Sequence, residues 1–487
     1  MTPVADLPHV ESSGERDAGP ATGPWYRGMT RYHWFVLTVA ALGWLFDCLD
    51  QQLFTLARKP AMQTLLASST LDPATMTADQ KKDFDGRVDF YGGLSTCVFM
   101  LGWATGGLIF GVIGDRFGRA KTMMITIVIY SLCTGLSALS YGFWDFAFYR
   151  FITGLGVGGE FAVGVALVAA VMPDRARPYA LGLLQALSAV GNFAAALIGI
   201  GLGQAQLHLG SKLYGWEPWR WKFVIGALPA VLALVIRAGL KEPERWRQMK
   251  AKADRTGEKL GGYGALFADP RWRKNAILGM LLACSGVIGL WGIGFFSIDL
   301  QRSVFEKTFK AQGLSGQDLA GRLTIWTGVA MMMIQVGAFT SMMLAARICQ
   351  RIGRKPFFAL AFTAALLSTA LVFRFLDDIT DIWWMLPLMG FCQLSLFAGY
   401  AIYFPELFPT RLRSTGTSFC YNVGRFVAAS GPFLLGQLSS GVFAGIQNPE
   451  WMREPMRPAG IAMCAAFLLG LAVLPFLPET KGRPLPE

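Results

Sequence analysis

Residues 111–121 read Gly-Val-Ile-Gly-Asp-Arg-Phe-Gly-Arg-Ala-Lys, a charged turn between two apolar runs, 90–113 and 122–140. Each run is about as long as the ~20 residues an α-helix needs to cross a bilayer. Charge that dense requires water, so the turn marks a membrane surface and makes its flanking helices antiparallel neighbours. A weaker copy lies at 346–355, where Arg351, Gly353 and Arg354 repeat Arg116, Gly118 and Arg119 at an offset of 235 (351 − 116). Pro173-Asp174-Arg175-Ala176-Arg177 recurs as Pro409-Thr410-Arg411-Leu412-Arg413, and Pro243-Glu244 recurs as Pro478-Glu479, at the same spacing to within one residue. Punctuation repeating at one period means a duplicated structure.

The composition agrees. The chain has 487 residues, 53% hydrophobic and only 16% charged, too apolar for a soluble domain of this size. Twelve candidate spans appear: 34–56, 90–113, 122–140, 145–172, 178–205, 223–240, 275–297, 323–346, 357–376, 383–404, 412–440 and 458–477. The expected fold is an all-α membrane protein of twelve transmembrane helices in two pseudo-symmetric six-helix bundles. Its expected divisions are a disordered cytoplasmic tail (1–30), a first bundle (31–240), a cytoplasmic linker (241–274), a second bundle (275–477) and a short cytoplasmic tail (478–487).

The net charge of +12 invites a nucleic-acid reading, but its distribution removes it. With both termini cytoplasmic, 26 of the 44 Lys and Arg fall on inside segments and four (Arg150, Arg237, Arg374, Arg425) within helices. That is the positive-inside bias of a plasma-membrane protein, in a bacterium the inner membrane, and it leaves no basic face interleaved with aromatics. The eight cysteines show no paired or metal-ligand spacing. His9, His33 and His208 lie outside the membrane centre, so no nucleophile, base or metal constellation suggests an enzyme, and no cofactor is expected.

Ionisable residues inside the apolar runs carry the chemistry, because each is expensive in hydrocarbon. Phe46-Asp47-Cys48-Leu49-Asp50-Gln51 puts two carboxylates on one helical face, roughly 20–24 Å from the inner boundary at 1.5 Å per residue. Arg150, opening the Gly-rich run Arg150-Phe-Ile-Thr-Gly154-Leu-Gly156-Val-Gly158-Gly159-Glu160, enters at the depth of Asp50. An Asp50–Arg150 pair is therefore cheap, and protonating the Asp would release the Arg; a static salt bridge is the alternative. Glu160 is a further intramembrane acid, structural or functional. Gln185 and Asn192 share a face. Trp326, Gln335 and Tyr403 are substrate candidates, with lipid-facing or packing roles the alternative for the aromatics. Tyr421-Asn422-Val-Gly-Arg425 sets a cation about 20 Å from the inner boundary, beyond snorkelling reach. Arg425 is suited to an anionic substrate unless it pairs with Glu406 or another acid.

These residues resemble the major facilitator superfamily of secondary transporters over nearly the whole chain. Gly-x-x-x-Asp-Arg-x-Gly-Arg-x-Lys is specific for it. Arg150-x-x-x-Gly154-x-Gly156, Pro405-Glu406-x-Phe-Pro409-x-x-x-Arg413 and Pro478-Glu479-Thr480-Lys481-Gly482 look like sugar porter signatures, whereas Phe46-Asp47-x-x-Asp50 looks more like the aromatic-acid and metabolite proton symporters. The resemblance implies proton coupling through Asp47 or Asp50 paired with Arg150, with the proton gradient as driving force; Glu160 joins the proton-coupling candidates as a further intramembrane acid. The residues themselves place the expected substrate site among Gln185, Asn192, Trp326, Gln335, Tyr403, Asn422 and Arg425. A conformational gate is expected from Gly114, Asp115, Arg116, Gly118 and Arg119, with Arg351, Arg354, Glu406, Arg411 and Arg413 in the second half, where Gln350 replaces the Asp. The reading is a functional monomer in the lipid bilayer that imports a small organic anion with protons by alternating access. The alternatives are a sugar or polyol porter, or an exporter of the same fold.

Overall fold

A computed structural model describes residues 24–67, 77–209, 214–228, 239–257, 260–428, 438, 442–443 and 450–486. Among the described residues, ten helices are long and apolar enough to cross a membrane. The expected spans 223–240 and 412–440, and the expected disordered tail 1–30, fall partly outside them.

The first half contains α1 (Arg31–Leu66), α2 (Ala78–Phe117), α3 (Arg119–Ser137), α4 (Phe143–Val171), α5 (Arg177–Leu209) and α6 (Pro218–Gly226). Two short helices, α7 (Glu244–Thr256) and α8 (Tyr263–Ala268), form the connection. The second half contains α9 (Pro270–Val287) and, beyond a π-helical stretch at Ile288–Gly294, α10 (Phe295–Ala311). It continues with α11 (Gly316–Ile352), α12 (Arg354–Phe375), α13 (Ile382–Tyr403) and α14 (Arg413–Ala428), and closes with α15 (Met456–Met463) and α16 (Ala466–Val473).

Local chemistry sets the boundaries. Thr30 and Thr77 form capping boxes with His33 and Gln80 at the starts of α1 and α2. Gly118 (φ +114°) and Gly353 (φ +97°) are the single-residue breaks between α2 and α3 and between α11 and α12. A side chain at Gly118 would also strike the Glu242 carboxylate, so both conformation and space require glycine.

Glycines fix the packing. A methyl on Gly102 or Gly106 of α2 would enter the carbonyl of Phe151 or Leu155 on α4, and one on Gly154 or Gly158 would enter that of Phe99 or Trp103 on α2. The second half repeats the device: Gly337 of α11 meets the Pro387 carbonyl, and Gly390 of α13 that of Ile334. Without a hydrophobic drive between helices in lipid, such backbone contact holds the pair together. Gly158→Ala is expected to cost about 3 kcal/mol by overpacking. Thermal melting in detergent checks this, and an unchanged midpoint would contradict the packing.

The two halves pack alike. α2 and α3 pack on α4 as α11 and α12 pack on α13, and α1 lies along α5 as α9 lies along α14. The halves meet through α2 against α14 and α5 against α11. Arginines repeat their roles too: Arg177 Nε donates to the Ala169 carbonyl at 2.9 Å, and Arg413 Nε to the Pro405 carbonyl at 3.2 Å. Apolar side chains such as Leu132, Phe148, Leu360, Leu367 and Leu468 face outward, while Asp47, Asp50, Arg150, Glu160 and Arg425 are buried. Large apolar groups outside and charges inside are what a bilayer solvent selects.

Candidate functional site

Between the halves lies a cavity of about 140 Å³, space for roughly ten waters or one small solute. From α1 it takes Trp44, Cys48, Gln51 and Gln52, a stripe along one helical face. Trp103, Gln185, Asn192, Gln335, Gln393, Phe397, Tyr421 and Arg425 complete most of its polar and aromatic lining. Of the residues expected to meet substrate, Gln185, Asn192, Gln335 and Arg425 are therefore brought together. Asn192 Nδ2 donates to Gln335 Oε1 at 3.3 Å across the two halves.

Arg425 is held in place without a carboxylate. Its guanidinium carbon stands 4.1 Å from the Trp103 ring centroid and 4.4 Å from that of Tyr421. Nη1 donates to Asn422 Oδ1 at 2.7 Å and to the Tyr421 carbonyl at 3.2 Å. No acidic side chain pairs with it among the described residues, and Nε has no hydrogen bond. Glu406, its anticipated alternative partner, is engaged by Arg354 at 2.8 and 3.1 Å and by Thr480 at 2.5 Å.

Three expected substrate contacts sit elsewhere. Asn422 is tied to the Ser418 carbonyl at 3.0 Å and occupies the space left by Gly107, so it orients Arg425 from behind. Tyr403 donates to the Pro478 carbonyl at 2.5 Å, near the charged turns. Trp326 packs among Phe305, Phe309 and Trp383 in the second half, away from the cavity.

The intramembrane acids lie behind the cavity wall. Gly43, Asp47, Asp50 and Phe54 form a second stripe of α1, roughly a third of a turn round the axis from the first and turned toward α3 and α4, so neither aspartate lines the cavity. Asp50 Oδ2 is 3.6 Å from Arg150 Nη1, and its Oδ1 accepts from Thr134 at 2.9 Å. Arg150 also donates to Ser137, Thr134 and Thr153 and lies 4.7 Å from the Phe223 ring centroid. Asp47 and Glu160 adjoin each other, buried and without that hydroxyl ring. The pairing read from depth, Asp50 with Arg150, is the one observed.

At the charged turns the halves are latched. Asp115 accepts from the Ser414 amide at 3.1 Å, the Thr415 amide at 2.8 Å and the Thr415 hydroxyl at 2.9 Å, capping the N-terminus of α14. Arg119, 3.5 Å from Asp115, donates across the halves to the Thr410 carbonyl at 3.0 Å. Arg116 donates to the Leu260 carbonyl, and the Gly261 amide to that of Arg411, tying in the connection. Trp246 of α7 donates to the Asp115 carbonyl at 2.8 Å. Gly114 packs on Val163. In the second half, Arg413 binds the Pro405 and Pro486 carbonyls, and Arg351 is exposed with its carbonyl taking Lys481.

The repeat itself needs one adjustment. Glu479 caps α12 through the Arg354 and Lys355 amides, each at 3.0 Å, but its first-half equivalent is Glu242, not Glu244. Glu242 caps α3 through the Arg119 and Lys121 amides at 2.8 and 3.1 Å. Burial pushes the Glu479 carboxyl up, yet these and the neighbouring Lys481 and Thr480 amides outweigh it and hold it below the ordinary glutamate value. A fourth duplicated mark is Glu217-Pro-Trp-Arg220 and Glu454-Pro-Met-Arg457. Each Glu pairs with its Arg, and each Arg binds carbonyls ending α3 or α12.

Twinned helical halves that meet around a polar cavity, latched on one side, define a membrane carrier. Residues 61–432 match the Major Facilitator Superfamily profile, and the chain belongs to that superfamily. It is 27% identical over 466 residues to the probable 4-methylmuconolactone transporter of Cupriavidus pinatubonensis, spanning 94% of this chain and 93% of that one. It is 28% identical over 358 residues to the cis,cis-muconate transport protein of Acinetobacter baylyi, spanning 71% and 78%. The proton:xylose symporter XylE superposes with a TM-score of 0.67 at 18% identity, covering 93% of this chain and 98% of that structure. The chain is thus a multi-pass membrane transporter of small molecules, not an enzyme, with the superfamily's twelve transmembrane helices in two six-helix bundles.

Proposed function

We propose that the chain is a proton-coupled symporter of a small planar organic anion, working by alternating access as a monomer in the bacterial inner membrane. The carrying observation is Arg425, a buried guanidinium at the cavity wall between two aromatic faces, with no carboxylate of its own. A substrate carboxylate supplies the missing counter-charge, and Trp44, Trp103, Phe397 and Tyr421 offer flat apolar surface to a conjugated or ring body. The relatives named for muconate and methylmuconolactone transport support an unsaturated acid of this size.

With both termini and the charged turns on the cytoplasmic side, as the distribution of Lys and Arg favours, the latched state described here is closed to the cytoplasm. Residues 31–240 and 275–477 rock as two bodies about the cavity, joined by 241–274. Protonation of Asp50 weakens its hold on Arg150 and biases that rocking. The gate residues act at its two turns, Asp115 and Arg119 bearing the closure.

Asp50→Asn is expected to abolish uphill accumulation under an imposed pH gradient in proteoliposomes while sparing exchange of internal for external substrate. Undiminished uphill uptake by the variant would remove Asp50 from the coupling. A second reading, a sugar or polyol porter, is favoured by one observation: the cavity carries amides from Gln51, Gln52, Gln185, Asn192, Gln335 and Gln393. Competition of neutral polyols against organic acids for uptake separates the two.

A further inference from the structure

Asp47 and Glu160 stand apart from the Asp50–Arg150 pair. Both are 1% exposed, and none of their four carboxyl oxygens accepts a hydrogen bond from an N–H or O–H group. Each carboxyl lies within hydrogen-bonding reach of the other, and neither has a basic partner among the described residues. The groups facing the pair are Asp50 and Cys48 on α1 and Tyr130 on α3, with Arg425 of α14 beyond Cys48. The fully buried Tyr130 hydroxyl adjoins Asp47. Gly43 leaves the space that Glu160 Oε1 fills.

Two ionised carboxylates in contact, away from water and without a counter-charge, repel one another and each carries a desolvation penalty. One proton between them turns repulsion into a hydrogen bond, and such a pair titrates as a unit. The arrangement lies directly behind Trp44 and Cys48 of the cavity wall, so a rocking of α1 that admits water to this layer ionises it.

We infer that Asp47 and Glu160 form a second proton-binding site holding one proton between them, so that two protons accompany each substrate: one on Asp50, which biases the rocking and without which neither is coupled, and one on this pair, which is carried by that motion. Each proton enters from water on one side of the membrane and leaves to water on the other, with no other bond made or broken. The inference rests on the proton-coupled reading above.

The test is the substrate gradient that just balances an imposed pH gradient and membrane potential in proteoliposomes. Two protons per substrate are expected for the natural protein and one for the Asp47→Asn/Glu160→Gln double variant. One proton in the natural protein, or two in the double variant, overturns the second site, whereas no coupling in the natural protein overturns the underlying reading instead. A double variant that does not transport is judged by infrared difference spectra of the natural protein against Asp47→Asn, Glu160→Gln and the double variant. A protonated-carboxyl stretch at neutral pH, displaced in each single variant and lost in the double variant, is expected, and its absence from the natural protein overturns the site.

Discussion

Arg425→Gln is expected to weaken transport of organic anions by about a hundredfold or more, as the apparent affinity of uptake, while changing that of neutral solutes severalfold at most. A buried, hydrogen-bonded charge pair that loses one partner costs about 2–5 kcal/mol, and every 1.4 kcal/mol is tenfold. Nothing else at the cavity wall can compensate, since its other polar lining groups are neutral amides, hydroxyls, indoles and one thiol. Arg425→Lys is expected to fall between the two. The lysine keeps the charge but gives up the flat plate that Trp103 and Tyr421 enclose and the bond to Asn422 Oδ1. Equal losses for anions and neutral solutes would deny Arg425 a counter-ion role.

Asp115→Asn is expected to open the latched side. The carboxylate receives two backbone amides and a hydroxyl from α14, and hydrogen bonds to a charged group contribute about 1.5–3 kcal/mol each. An asparagine keeps one acceptor, turns an N–H₂ group toward backbone donors and gives up its attraction to Arg119. A net loss of about 2 kcal/mol shifts the population of the two states by roughly thirtyfold. Spin-label distances between the turn at Gly118 and the start of α14 read this directly as a longer component in the variant. An unaltered distance distribution would reduce the turn to a topology signal.

Much of this architecture was legible because the bilayer and the duplication both write in large letters. Apolar runs of spanning length separated by charged turns give the helices, and Arg116, Gly118 and Arg119 recurring at Arg351, Gly353 and Arg354 give the halves. Asp50 and Arg150 could be paired because depth along a helix follows from counting residues. Direction around the helix axis was harder. Asp47 and Asp50 face α3 and α4, while Trp44, Cys48, Gln51 and Gln52, on the same helix, face the cavity; both stripes mix polar and apolar residues, so periodicity does not rank them. Trp326 and Tyr403 illustrate a related ambiguity. An aromatic near the end of a spanning helix packs equally well against lipid, a neighbour or a substrate, and these two pack against their neighbours. The Glu-Pro-x-Arg marks at 217–220 and 454–457 were readable as a further copy at the same period, since each stands just ahead of a half's last helix. That Glu242 rather than Glu244 matches Glu479 depends on which carboxylate reaches the amides of α3, and the Pro-Glu dipeptide alone points two residues (244 − 242) too far.

The central claim is a cavity between two moving halves that takes up an organic anion with protons. Its most direct test is uptake of a labelled planar carboxylate into proteoliposomes under an imposed pH gradient, acid outside, with and without a protonophore. The account predicts accumulation above the external concentration that the protonophore abolishes. Uptake that only equilibrates, or that is indifferent to the protonophore, would contradict it.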